Sequence, residues 1–401
     1  MGRRSISLYH RIERALETIA RASTPLETIR QTADFLVENF SEDLGLLGGR
    51  IYVSDGPDYE LVSTFGRVEK AELGLRVSKD YAALWKLLES GTHVMHRGDP
   101  ELDERIEKDI GSGQHFAAVI VDDGHYVLSF DFVEDAGARD ALVATLNIVR
   151  LAINQKLREE RMDALMEDAR RIQASLLPRR LPQPGSFRLA ARSDPAEIVS
   201  GDFYDVISLD ERSFVALIAD ATGHGLPAAL QVRDVFMGLR MGLSREFKIS
   251  RTLERLNRII HHSRLATKFV SLFLVEVDLD GQIFYCCAGH PPALLRRASG
   301  EMEELKTGGL LLGPLSDTRY PVAGAMMDPG DSLLLYTDGI TEIRNPEGEE
   351  FGLDALKNIF EGPKASHPEE LVEEIFETIH RFAGPDFRQD DQSVLVIYRE
   401  E

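Results

Sequence analysis

The sequence predicts a mixed α/β protein of two folded halves, and three observations predict it. Apolar runs of strand length are interspersed with amphipathic helical stretches in both halves, without the strict strand-helix alternation of a doubly wound fold. Between the halves, from about Arg139 to Leu177, turn residues disappear and one long helical pattern takes over. In the C-terminal half, Gly201-Asp202, Asp220 to Gly225, Thr337-Asp338-Gly339 and Asp390-Asp391 lie at or beside the ends of apolar, strand-like runs, so the fold delivers several carboxylates to one rim.

In chain order, Ile6 to Arg21 and Leu26 to Phe40 carry apolar residues at helical spacing, and Arg50-Ser54 and Glu60-Phe65 read as strands. A helix around Ala82-Leu88 follows, with its lone Trp85 assigned to the core. The runs Phe116-Val121 and Tyr126-Phe132 flank Asp122-Asp123-Gly124-His125, a hairpin-turn signal. His93, His96 and His115 are expected as surface or hydrogen-bonded residues rather than metal or haem ligands.

In the long helical stretch, Leu142, Leu146, Val149 and Ile153 form one seam and Met162, Leu165, Ala169, Ile172 and Leu176 a second, out of phase with the first. A parallel dimer linker is the expectation, an ordinary amphipathic helix packed on its own domain the alternative. Pro178, Pro182, Pro184 and Gly185 end it. Beyond them, Phe187-Ala191, Phe203-Ser208, Phe214-Asp220, Phe269-Asp278, Gln282-Gly289, Ser332-Asp338 and Gln392-Tyr398 read as strands. Helices are expected at about 227–243, 251–264, 353–360 and 369–382. Strands dominate, which favours a sandwich.

The chain has 401 residues, 43% of them hydrophobic, enough for real cores. A net charge of -21 argues against a nucleic-acid partner and against attachment to anionic lipid. No run approaches a membrane span of about 20 apolar residues, and Met1-Gly2-Arg3-Arg4 leads into an amphipathic helix rather than a signal peptide. The two cysteines, Cys286 and Cys287, are adjacent and face opposite ways on a strand, so they build no disulfide framework; packing and a cytoplasmic setting are expected.

Bunched carboxylates repel one another and are costly to withdraw from water unless a cation neutralises them. Hard oxygen donors suit Mg2+ or Mn2+, and no Cys/His spacing suits zinc. Metal-assisted hydrolysis is the chemistry expected.

The order and wording of these clusters resemble the PPM family of metal-dependent Ser/Thr protein phosphatases, in its bacterial SpoIIE/RsbU branch. The matching stretches are Leu176-Leu177-Pro178, Val199 to Asp205, Asp220 to Gly225 with Pro227-Ala228-Ala229, Ala288 to Pro292, Leu335 to Glu342 and Asp390 to Ser393, together spanning roughly Ser175 to Arg399. The resemblance implies an αββα sandwich with two Mn2+ or Mg2+ ions at one edge. Asp220 takes the place of the bridging carboxylate and the Ala221 carbonyl that of a further ligand. Asp202 resembles the acid of the second metal, and Asp338 and Asp390 the remaining ligands of the first. Asp391, Asp205 and Glu342 are expected outside the ligand set. His224 is a candidate general acid or a turn residue, and His290 a turn residue. Eukaryotic members place a phosphate-holding arginine just before the first acidic motif; this chain reads Pro195-Ala196-Glu197-Ile198-Val199 there, leaving Arg192 or Arg233 as substitutes. The element order of the N-terminal half is similar to a GAF-type sensory module.

The expected organisation is a GAF-like sensory domain at 1–138 with room for an unidentified small ligand, a coiled-coil linker at 139–177 that pairs two chains, and a phosphatase domain at 178–401. The substrate class implied is a phosphoserine or phosphothreonine protein, of the STAS type in the bacterial branch. A catalytically weak scaffold that binds partners through the same half is the alternative.

Overall fold

The computed structural model describes residues 24–68, 71–133, 139–178, 180–223, 225–243, 248–263, 269–386 and 388–400. The predicted helix at Ile6 to Arg21 and the residue His224 lie outside them. The chain divides into two compact units, Met1–Ala164 and Leu165–Glu401.

The first unit opens with α1 (Pro25–Leu44), started by Thr24, whose hydroxyl accepts from Glu27 N at 3.3 Å, and stopped by Gly45 in the left-handed region at φ 66°. Strands β1 (Leu46–Asp55), β2 (Asp58–Gly66), β3 (Arg76–Ser78), β4 (Thr92–His96), β5 (His115–Val121) and β6 (Tyr126–Phe132) form one antiparallel sheet in the order β3-β2-β1-β6-β5-β4. The β5–β6 hairpin turns through the four-residue loop 122–125, in which Asp122, Asp123 and Gly124 all have positive φ. Helices α2 (Ala82–Ser90) and α3 (Glu104–Asp109) complete the unit with α4 (Arg139–Ala174), which runs on into the second unit. Two cores result. Ile29, Leu36 and Phe40 of α1 pack with Ile51, Leu128 and Phe130 of the sheet, whereas Tyr52, Leu61, Phe116 and Val127 form the other core with Ala83 and Leu87 of α2.

Three expectations change here. Leu142, Leu146, Val149 and Ile153 of α4 are buried in the first unit's own core, so this block serves that unit and is not open to a second chain. Met162, Leu165 and Ile172 remain more than half exposed, which narrows the predicted dimer seam to the second block. Trp85 is 64% exposed rather than core, because α2 buries the face carrying Ala83 and Leu87. His96 and His115 face each other across β4 and β5 with Nδ1 atoms 2.7 Å apart, and His93 lies 3.4 Å from Glu101, as expected of hydrogen-bonded strand histidines.

The second unit is a four-layer sandwich. One sheet has the order β14-β11-β10-β9-β8, from β8 (Asp202–Ser208), β9 (Ser213–Ala221), β10 (Val270–Asp278), β11 (Gln282–Ala288) and β14 (Gly308–Gly309), with β15 (Ala323–Met326) also on β11. The other runs β13-β12-β16-β17-β7, from β7 (Phe187–Asp194), β12 (Ala293–Arg296), β13 (Met302–Leu305), β16 (Ser332–Tyr336) and β17 (Gln392–Arg399). Period two in the sequence assigns the layers. On β9, Phe214, Ala216 and Ile218 enter the core between the sheets, while Val215, Leu217 and Ala219 pack under α5 (Leu226–Gly242) and α6 (Ile249–His262). The outer face of the second sheet carries α7 (Asp338–Thr341), α8 (Gly352–Phe360) and α9 (Pro368–Ala383) over Leu334, Val394 and Val396. Cys286 and Cys287 fall in different cores, as their adjacency on a strand predicts. Among the described residues no helix is long and apolar enough to cross a membrane.

A carboxylate rim between two sheets

Asp202 and Asp220 stand directly opposite one another, the first residue of β8 against the penultimate residue of β9. By strand parity both belong to the face turned towards the other sheet. Like charges at opposed positions are unfavourable, and both carboxyls are held far from ordinary behaviour. Burial, then the facing Asp220, raise the pKa of Asp202 well above the usual carboxylate range. Asp220 is pushed up to about 7, first by burial and then by the fields of Asp338, Asp390 and Asp391. Those fields show that the second sheet brings its acids within electrostatic reach of Asp220.

The second sheet also supplies the brace. Thr337 Oγ1 donates to Asp202 Oδ2 at 2.7 Å and accepts from Ser393 N at 2.9 Å, so one hydroxyl ties the end of β16 and the start of β17 to the first sheet. Asp338 follows as the first residue of α7, its backbone carbonyl accepting from Glu342 N at 2.8 Å; the predicted strand to Asp338 stops at Tyr336, and a one-turn helix carries the acid instead. Asp390 Oδ1 accepts from Asp391 N at 2.8 Å. Two glycines permit the approach. A Cβ on Gly201 would lie 2.7 Å from the Ala221 carbonyl oxygen, and one on Gly339 only 2.0 Å from the Asp391 carbonyl oxygen. The Ala221 carbonyl is thereby directed at the Gly201-Asp202 segment.

Among the described residues no three His, Cys, Asp or Glu side chains converge as a finished metal cage. What the structure brings together is the Asp202–Asp220 pair, with Asp338 and Asp390 acting on Asp220 from the other sheet. The donor set consists of carboxylates and one carbonyl, which fits a hard divalent cation and not a soft one.

Other candidates fall outside this group. Asp391 is buried and accepts from Ala196 N at 2.8 Å and Gly201 N at 2.6 Å, which fixes the 195–201 loop. Asp205 is buried beside Arg240 in a two-bond ion pair at 2.8 and 3.0 Å, so it is not one of the spare solvated acids. Glu342 is exposed, and slight desolvation of its carboxyl, then the fields of Asp338 and Glu350, raise its pKa. His290 is a structural cross-tie: Nε2 donates to Tyr336 O at 3.1 Å, leaving Nδ1 to accept from Ser271 Oγ at 2.7 Å. Arg192 is committed to Asp194 and Glu373 at 2.7 and 2.9 Å, with its guanidinium 4.3 Å from the Phe376 ring centroid, while Arg233 is exposed on α5.

Sequence reasoning did not assign a role to Thr337, Ser393 or Gln173. Gln173, near the end of α4, clamps the Ser200 backbone: Oε1 accepts from Ser200 N at 2.8 Å and Nε2 donates to Ser200 O. Ser200 Oγ in turn accepts from Asp202 N at 3.0 Å. A glutamine at this point of a helical seam carries no signal that marks it as a clamp.

The four-layer sandwich with acids at the open edge of its inter-sheet core defines the class. The fold is that of the PP2C phosphatases: the SiaA PP2C domain of Pseudomonas aeruginosa superposes with a TM-score of 0.53 at 21% identity, covering 61% of this chain and 99% of that one. Residues 210–400 match the family model Stage II sporulation protein E (SpoIIE), so this stretch is similar to SpoIIE-type PP2C phosphatase domains. Curated relatives include phosphoserine phosphatase RsbU of Bacillus subtilis, 29% identical over 249 residues, which cover 62% of this chain and 72% of RsbU. Phosphoserine phosphatase RsbP of the same organism is 28% identical over 205 residues, covering 50% of this chain and 49% of RsbP. The chain therefore spans about half the length of RsbP.

Proposed function

We propose that this chain is a signal-regulated, metal-dependent protein phosphatase that hydrolyses phosphoserine or phosphothreonine on a partner protein. The observation that carries the reading is the opposed Asp202–Asp220 pair, protonation-prone without a counter-charge and braced by Thr337. Asp202, Asp220, Asp338, Asp390 and the Ala221 carbonyl are the residues that would hold two ions, Mn2+ or Mg2+. Such cations, when bound, supply water activation near neutral pH and neutralise charge on the phosphoryl oxygens. The protein's share is positional. Thr337 and Ser393 fix the Asp202 carboxylate, Asp391 fixes the loop before it, and the hairpin holds Asp220 opposite. A cysteine nucleophile plays no part: Cys286 and Cys287 are buried, and burial pushes the Cys286 thiol up to about 12.

RsbU and RsbP are phosphoserine phosphatases by name, which supports the same activity here, and the branch resemblance makes a STAS-type anti-sigma-factor antagonist the substrate of choice. We further assign the first unit to sensing, the exposed second block of α4 to pairing of two chains, and the cytoplasm as the setting. The deciding experiment is turnover of p-nitrophenyl phosphate and of a phosphoserine STAS protein with and without Mn2+. Cation-dependent release of phosphate is expected; none with either cation would leave a partner-binding scaffold as the function.

A further inference from the structure

The first unit contains a cavity on the α2 side of its sheet, remote in sequence from the carboxylate rim. Its walls include Tyr52, Tyr59, Tyr81, Met95 and Phe116, and one acid, Glu107 of α3. The cavity leaves about 60 Å³ open to the centres of water-sized molecules, more than a single water needs. Glu107 is 1% exposed. Its Oε1 accepts from Tyr81 Oη at 2.7 Å, but Oε2 has no hydrogen-bond partner. A buried polar atom left unpaired costs on the order of 1–3 kcal/mol, more when the group is charged, so this oxygen marks where a donor belongs.

Charge bookkeeping in this neighbourhood gives the donor its sign. The nearby cation is Arg50, which is spent: it donates to Asp131 Oδ2 at 3.0 Å, to Ile110 O at 2.6 Å and to Gly111 O. Arg50 and Asp131 cancel, and the Glu107 carboxylate is left over. Aromatic faces around a carboxylate suit a small cation with an apolar body, because ring quadrupoles and the acid both attract positive charge while the remaining wall excludes water.

We propose that this cavity is a binding site for a small aliphatic ammonium ion, its nitrogen on Glu107 Oε2 and its hydrocarbon body among Tyr52, Tyr59, Met95 and Phe116. The site stands apart from the phosphatase reading, since it asks only for binding by the first unit. The test uses the full chain, titrated by calorimetry and by melting-temperature shift with n-butylamine hydrochloride, n-butanol and sodium butyrate, probes of similar length that differ in head group. Butylammonium should bind saturably, at least tenfold more tightly than butanol, and butyrate not at all. Glu107→Gln should bring the amine down to the level of the alcohol, and Ala118→Val, which fills the wall, should abolish both. Equal binding of amine and alcohol, amine binding unchanged in Glu107→Gln, or no saturable binding of any probe overturns the proposal. The amine-to-alcohol ratio on the unmodified protein decides the matter even where a variant fails to fold.

Discussion

Asp220 carries more of the proposed chemistry than any other side chain, and its environment makes its removal informative in two directions. Asp220→Asn should lower cation-dependent turnover by roughly a hundredfold or more, because a carboxylate that would hold the ions is gone. The cation-free protein should melt no lower, since a buried repulsion with Asp202 is relieved; a loss of melting temperature beside full activity would defeat the assignment. Thr337→Val removes only the brace on Asp202, and a loss of about 10–100-fold in cation affinity or turnover is expected. His290 makes a prediction about pH. Burial pushes its pKa down from 6.5 to about 3, so the unfolded chain binds a proton below about pH 6.5 that the folded chain refuses. Stability from this residue is therefore present above pH 6.5 and drains away as pH falls towards 3, with a ceiling on the order of a few kcal/mol. Chemical denaturation at pH 7 and pH 4.5 should show a shallower pH dependence in His290→Asn than in the parent chain. Asp202, Asp220 and Asp338 stand out in the sequence because each adjoins a glycine or closes an apolar run, and Asp390 because it opens an Asp-Asp pair shortly before one. Thr337, Ser393 and Gln173 do not, because their partners lie 135, 56 and 27 residues away and no local pattern records a pairing of that range.

Among the elements, strands that alternate between two cores are readable in advance, since period two is imposed by the backbone itself. The short strands β12 to β15 escape that reading: four residues or fewer hold too few alternations to stand out. Helix α4 teaches a different lesson. Its apolar spacing was visible, but spacing says only that a face is buried and not against what; Leu142 to Ile153 bury it inside their own unit. Leu165 and Ile172 are the exposed part of the proposed pairing seam, so Leu165→Glu with Ile172→Glu should lower the sedimentation mass of the full chain without lowering its melting temperature. A strictly monomeric parent at tens of micromolar would remove the pairing proposal. Gln173 joins this same helix to the backbone before Asp202, and Gln173→Ala should raise the Mn2+ concentration needed for half-maximal turnover several-fold. One residue inserted between Ile153 and Met162 turns the downstream helix by about 100°, whereas seven return it to within about 20° of its starting phase. Basal turnover should change with the first insertion and far less with the second; equal rates would reduce α4 to a tether.

For the whole molecule, chelation is the broadest test: removing divalent ions should abolish turnover and lower the melting temperature of the second unit, as loss of any native-state ligand does. The rim has a further consequence, because its acids come from two sheets rather than one. Asp202 and Asp220 ride on the first sheet, Asp338 and Asp390 on the second, and the filling between them is Phe273, Leu335 and Leu395. The spacing of the two backbones that carry opposing donors is thus set by a packed hydrocarbon layer, nominally about 10 Å between sheets, and the side chains reach inward across it, as Thr337 does to Asp202 at 2.7 Å. The sandwich acts as a calliper whose jaws are set by side-chain volume. Trimming Leu335 to valine or swelling Ala216 to leucine, both in the core between the sheets, would reset the jaws by fractions of an ångström. The preference between the smaller Mg2+ and the larger Mn2+ would register that change before the fold itself did.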